Sequence, residues 1–385
     1  MLADNENIAD DRGTRIMGGR AGVVKKFVMN ADLSAGRGKD DNIWKHLDNM
    51  NFLALKSCVR IIQASWMLYL VPEEIFSVKP LEKTTDDFKE IIRPDDIFKE
   101  VKTIISLLFP HFDFTVVTNT YHDILKLFNG EFFGYQKCDT NYHNLRHTQD
   151  CLLEVARLIH GAVLNGRSFS EKDVNLGIIS AIVHDAGYIK TSNETGGTGG
   201  KFTMVHIDRS ITFMTKYLSQ REFTSDDINF CRNCLKCTGL NVKINKIKFI
   251  SVENELMGKI LGTADLLGQM SDPVYLMKLP LLFSEFHEAG IKLYVDEFDL
   301  IEKTPAFWEF TQKRFAHELG GVDRYLQDHF RVRWGIDRNL DREAIEKNID
   351  FLNYILKHHR NDYRRFLQHH EKIEASGNNP ASSPH

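Results

Sequence analysis

The chain has 385 residues, enough for one or two domains, and its 42% hydrophobic content leaves room for solvated tail beside a sizeable core. A net charge of −4 excludes the basic excess of a general nucleic-acid binder, so stable nucleic-acid binding is not expected; a small anion would need only a local basic pocket. The six cysteines (Cys58, Cys138, Cys151, Cys231, Cys234 and Cys237) follow no secreted disulfide framework in a chain this long, and are expected as reduced thiols of a cytoplasmic protein.

The opening stretch, MLADNENIADDRG, is acidic and polar and has no signal-peptide pattern. Residues 1–40 are rich in Gly, Asp, Asn and Lys without a periodic apolar stripe, and disorder is expected there. Residues 41–92 are expected as a helical segment and linker. Apolar residues return from Ile43 to Phe76, and VKPLEKTTDDFKEII then runs through charge into a helix that Thr84 and Thr85 suit as a start. The longest apolar run, VRIIQASWMLYLV at 59–71, contains Arg, Gln and Ser and is too short to span a bilayer, so no membrane partner is expected.

From residue 93 the pattern is helical nearly throughout, and the fold class expected is all-α. DIFKEVKTIISLLF has apolar residues three and four apart and stops at Pro110. TQDCLLEVARLIHGAVL repeats that spacing with Leu152, Val155, Ile159 and Val163. SEKDVNLGIISAIVHDAG begins with Ser170 as N-cap and Asp173 in the first turn, and ends at Gly187. TMVHIDRSITFMTKYL, SDDINFCRNCLKCTGL and ELMGKILGTADLLGQM each predict a helix. So do TPAFWEFTQKRFAHELGGVDRYLQDHF and DREAIEKNIDFLNYILKHHRNDYRRFLQ in the C-terminal third. Residues 93–270 are taken as a core, 271–375 as a C-terminal helical extension, and 376–385 as a solvated tail.

Five residues within this pattern carry chemistry. In NYHNLRHTQD, His143 and His147 would share a face one turn apart if the stretch is helical. His184 and Asp185 close an apolar helix, where imidazole and carboxylate can turn inward together. Asp265 lies among Ile260, Leu261, Leu266 and Leu267, and a charge on so apolar a helix needs a partner or a metal. Divalent Mn, Fe, Co, Ni and Zn accept this mixture of imidazole and carboxylate. Singly each residue is ordinary; the order His, then His-Asp, then Asp is specific.

That order in His147, His184-Asp185 and Asp265 resembles the HD superfamily of metal-dependent phosphohydrolases. YHNLRHTQD also resembles the YHN…H signature of the cyclic nucleotide phosphodiesterases within it. The resemblance covers about residues 94–270, with a helical continuation to about 360. It implies an HD-domain helical bundle with additional C-terminal helices, hydrolysing a phosphate mono- or diester, with a cyclic nucleotide as the sharper expectation. It implies one or two divalent ions (Mn, Fe, Zn, Ni, Co or Mg) on His147, His184, Asp185 and Asp265, with Asp185 able to bridge two. His143 would be the general acid. An imidazole titrates near neutrality, and a positioned proton donor contributes on the order of 10²–10⁴-fold.

The chain departs from the phosphodiesterase pattern after the His-Asp pair, where Gly187 and Tyr188 replace Asp-His. His206 is then a candidate further ligand. Arg146, Lys190 and Asn193 are candidates to bind the substrate phosphate, and Gln312 in FWEFTQKRF to hold a purine. ETGGTGGKF fails as a phosphate-binding loop because Phe202 stands where Ser or Thr is needed; it is expected as a flexible loop near the site. Cys231, Cys234 and Cys237 lack a fourth zinc ligand and are expected as buried thiols. Arg314, Arg324 and Arg331 are expected mostly on solvated faces. The expected function is a phosphohydrolase acting on a small phosphorylated substrate such as a nucleotide. The alternatives are a metal-retaining HD-fold signalling or binding module without turnover, which Tyr188 motivates, and a zinc-scaffolded interaction protein built on the three cysteines.

Overall fold

The computed structural model describes Ile91 and residues 96–367. The expectations for residues 1–40, for the segment and linker of 41–92 apart from Ile91, for Cys58 and for the tail 376–385 lie outside the described residues.

The described residues form twelve α-helices and short 3₁₀ turns, with no strand among them; Tyr135 and Thr191 make an isolated bridge. The fold is all-α. In chain order the helices are α1 (Ile97–Leu108), α2 (Thr115–Asn129), α3 (Leu145–Leu164), α4 (Glu171–Val183), α5 (His206–Ser219) and α6 (Ser225–Lys236). They continue as α7 (Val252–Met270), α8 (Tyr275–Glu288), α9 (Glu297–His317), α10 (Tyr325–Trp334), α11 (Leu340–His358) and α12 (Tyr363–Leu367). Among the described residues no helix is long and apolar enough to cross a membrane.

Local chemistry sets the boundaries. Asp96 caps α1 through the Lys99 amide, and α1 stops two residues before Pro110. Ser170 and Asp173 form a reciprocal capping box on α4, as do Thr224 and Asp227 on α6. Gly130 and Gly335 close α2 and α10 in the left-handed conformation (φ 78° and 69°).

Helix α3 sits at the centre and packs against α1, α4, α7 and α10. Leu152, Val155, Leu158 and Ile159 on it are fully buried, each contributing roughly 1.5–3 kcal/mol. A Cβ on Gly161 would lie 1.9 Å from the Tyr325 carbonyl oxygen, so the missing side chain lets α3 and α10 approach.

Polar groups also enter this core. Arg157 is buried with Glu154, 2.7 Å away, and Asp341, 3.5 Å away, and also donates to the Ile91 carbonyl. Arg314 corrects the expectation of a solvated face: it is buried and donates to the carbonyls of Cys237, Gly239 and Leu240 just beyond α6. Those carbonyls have no intrahelical partner, and the guanidinium fork reaches all three. Arg324 and Arg331 are exposed, as expected. Cys231, Cys234 and Cys237 are buried, and burial pushes the thiols of Cys231 and Cys237 up to about 12.

Candidate metal centre

The site forms where the start of α3, the end of α4, the start of α5 and the middle of α7 meet. Asn144 starts α3: its extended backbone (φ −117°) stops the helix, and its side-chain oxygen accepts from the amides of Arg146 and His147. His147 therefore lies in the first turn, buried. Helix α4 ends at Val183, earlier than the Gly187 expected, so His184 and Asp185 leave the helix together before the 3₁₀ turn Ala186–Tyr188. Gly187 presses on α5, where a Cβ would lie 2.0 Å from the His206 carbonyl oxygen. Its amide donates to Ser210 Oγ (2.8 Å), and Arg209 Nε donates to its carbonyl (2.7 Å). Only a glycine lets the turn and α5 come this close, and that contact brings His206 to the site.

The donors converge. His147 Nε2 lies 3.1 Å from Asp185 Oδ2, 3.2 Å from Asp265 Oδ1 and 3.3 Å from His184 Nε2. His184 Nε2 lies 3.3 Å from Asp185 Oδ2 and 3.7 Å from Asp265 Oδ1. His206 Nε2 lies 4.0 Å from the other Asp185 oxygen, Oδ1. The Nδ1–H groups of His184 and His206 donate to the carbonyls of Ala181 (2.8 Å) and Thr203 (2.7 Å), which leaves each Nε2 lone pair facing the cluster.

His147, His184 and Asp185 could hold a metal ion: their ligand atoms all lie within 4.8 Å of one another, and all three are buried. Two further observations fit. Asp185 Oδ2 is buried with only the His147 and His184 Nε2 atoms near it, at 3.1 and 3.3 Å and poorly aligned for hydrogen bonds, and a buried anionic oxygen so placed is costly without a cation. Two imidazole nitrogens and two carboxylates are also a donor set that divalent transition metals favour. Burial opposes charge on His147, but the carboxylates of Asp185 and Asp265 outweigh it and push its pKa up to about 10. The pocket already attracts positive charge.

His143 is a correction. It lies before α3 rather than one turn from His147 on it, because Asn144 ends the extended entry. A different element positions it: its Nδ1 is 2.6 Å from Glu285 Oε2 on α8, and Glu285 Oε1 accepts from the Tyr142 amide (2.7 Å). Glu285 was not singled out in the sequence. The available signal was an acid in an apolar stretch, LPLLFSEFHEAG, but Pro280 argued against a helix there. The structure keeps Pro280 inside α8 and buries Glu285. Tyr188 stacks on both His143 and His206, whose rings lie 6.3 Å apart.

The four residues expected to bind substrate are not gathered at the cluster. Arg146 pairs with Asp150 (3.0 Å) one turn on. Lys190 is buried, pairs with Asp139 (2.6 Å) and donates to the Gly197 carbonyl (2.8 Å). Asn193 is exposed in a turn. Gln312 is half-buried on α9, and among the described residues it has no polar contact with the cluster. Glu194 instead grips Arg209 at 2.8 and 2.9 Å, which pulls its pKa down to about 2. The glycine-rich segment, expected to be flexible, is fastened. Glu288 accepts from the amide and hydroxyl of Thr198, and Asp139 accepts from the Gly199 amide (2.8 Å).

Residues 191–331, less than half of the chain, match the model of the Npun_R2479-like family. The matched segment includes His206, Asp265 and Glu285 and begins after His184 and Asp185. No curated protein and no solved structure matches the chain.

Proposed function

We propose that the chain is a metal-dependent phosphohydrolase of the HD type, cleaving a phosphate mono- or diester, with a cyclic nucleotide as the sharper expectation. The observation that carries this reading is the pairing of two sets of groups: buried His147, His184 and Asp185 converge with the partly buried Asp265, and beside them His143 is held by Glu285.

A divalent ion bound there would lower the pKa of water and polarise a phosphoryl oxygen. His147, His184, Asp185 and Asp265 would hold it, with His206 the next nitrogen available. His143 does the remaining work. Glu285 fixes its ring through Nδ1, which leaves Nε2 as the atom that hands a proton to the departing oxygen. Glu285 keeps the ring aimed for that transfer. Arg146, Lys190 and Arg209 are each engaged by a carboxylate, so the charge of the phosphate would fall mainly to the ion and His143.

A second reading is a metal-holding module without turnover. Tyr188 favours it, because its apolar ring, stacked on both His143 and His206, stands where the phosphodiesterase pattern has a histidine. Elemental analysis of wild type and Asp185→Ala, with both assayed on phosphate esters and cyclic nucleotides, separates the two. Metal and hydrolysis lost together in Asp185→Ala support the enzyme. Metal lost with no hydrolysis in either protein supports the module. A wild type without metal removes both readings.

A further inference from the structure

One hydrogen-bond chain leads away from the metal centre and is not used by the chemistry above. Gln269 lies one turn beyond Asp265 on α7, on the same face. Its Nε2 donates to the Asp265 carbonyl (2.9 Å) and to Asp265 Oδ1 (3.3 Å), the oxygen that faces His147 and His184. Both partners only accept, so the NH₂ end of the amide must face them and Oε1 must face outward. There the buried Tyr142 hydroxyl donates to it at 2.9 Å. The Tyr142 backbone amide in turn donates to Glu285, which holds His143.

From this geometry we propose that Gln269 is a positioning residue for Asp265, aligned by Tyr142, so that Tyr142 sets the spacing between the ligand Asp265 and the His143–Glu285 pair. The proposal rests on the metal-centre reading. A carboxylate on a helix can swing about its side-chain bonds. With Oδ1 held by the Gln269 amide, Asp265 reaches the ion already aimed, and the ordering cost is met in folding. Gln269 in turn has one orientation because Asp265 offers it only acceptors, and the Tyr142 hydroxyl, donating to the outward Oε1, completes the chain. Neither residue touches the ion or the substrate.

The test uses the full-length protein and Mn²⁺ alone, followed by electron paramagnetic resonance, beside urea melts. Gln269→Met keeps the side-chain length and removes the donor; Mn²⁺ affinity is expected to fall about 10–100-fold, as for other groups that orient a ligand. It also strands the buried Tyr142 hydroxyl, so stability falls with it. The double variant Tyr142→Phe/Gln269→Met leaves no polar group unpaired and should regain stability. Its Mn²⁺ affinity should stay low. Affinity unchanged in Gln269→Met, or recovering together with stability in the double variant, would overturn the assignment. If Gln269→Met does not fold, the double variant carries the same test. A wild type that takes up no Mn²⁺ ends the metal-centre reading and this assignment with it, whereas binding in wild type with no change in the variants ends only the assignment.

Discussion

The rings of His143 and Tyr188 lie face to face, with centroids 4.4 Å apart and planes 9° from parallel, and the His206 ring also stacks on Tyr188 at 4.7 Å, 6.3 Å from His143. One aromatic side chain thus joins two imidazoles in a single stacked group beside the cluster. The Tyr188 hydroxyl is buried near Thr203, and what Tyr188 brings to this stack is its ring. Tyr188→Phe is expected to change stability by under about 1 kcal/mol, whereas Tyr188→Ala opens a cavity and costs roughly 3–5 kcal/mol. Urea denaturation of the two variants checks this; equal midpoints would show that the stack does not support the fold.

Gly187 should tolerate no side chain. A Cβ there would lie 2.0 Å from the His206 carbonyl oxygen and 2.7 Å from the Ser210 amide nitrogen, both backbone atoms of α5. Gly187→Ala is expected to cost about 1–3 kcal/mol through overpacking and to push His206 away from Asp185. Metal retained per chain should fall in Gly187→Ala if His206 contributes to holding it, and stay level if it does not.

His143 and Glu285 should separate chemistry from metal binding. His143→Asn is expected to lower kcat by on the order of 10²–10⁴-fold with metal content unchanged. Glu285→Gln, which keeps a hydrogen-bond partner for the His143 Nδ1, should lower kcat less. Full activity in His143→Asn would remove the proton-donor role.

The buried group around Arg157 predicts a pH-dependent stability. Burial, reinforced by Asp341, raises Glu154 from a solvated 4.5 to about 8, and Arg157 only partly offsets it. The folded state therefore keeps a proton that the unfolded chain gives up more readily. Below about pH 4.5 both states are protonated and the contribution is fully present; it falls as pH rises and is lost above about pH 8. Glu154→Gln, which carries a permanent neutral group, should flatten the midpoint-against-pH curve across that window. An unchanged slope would mean that Glu154 is ionised in the folded protein at neutral pH.

The parts of this protein legible in its sequence are those set by local spacing. Ser170 with Asp173 announces the start of α4, and the three-and-four spacing of Leu152, Val155 and Ile159 announces the buried face of α3. His147, His184, Asp185 and Asp265 could be grouped because their order along the chain, His, then His-Asp, then Asp, is specific, and their side chains do come together. What was missed depends on contacts across the fold. Glu285 reaches His143 over 142 positions of sequence, from a helix that Pro280 disguises. Lys190 looks available for a phosphate until Asp139 folds onto it. Arg314 reads as one more surface cation until the end of α6 is laid against it. His143 was placed on a helix because Asn144 resembles any other polar residue until its side chain is seen to cap.

Glu285 and Glu288 stand one turn apart on α8, one holding His143 and the other holding Thr198 in the glycine-rich segment. Helix α8 is therefore a common axle. Any tilt or slide of it that frees the segment also turns the imidazole, so the two cannot be adjusted independently. A sequence change that tunes one must be balanced against the other, and the three residues from Glu285 to Glu288 leave little slack in which to do so.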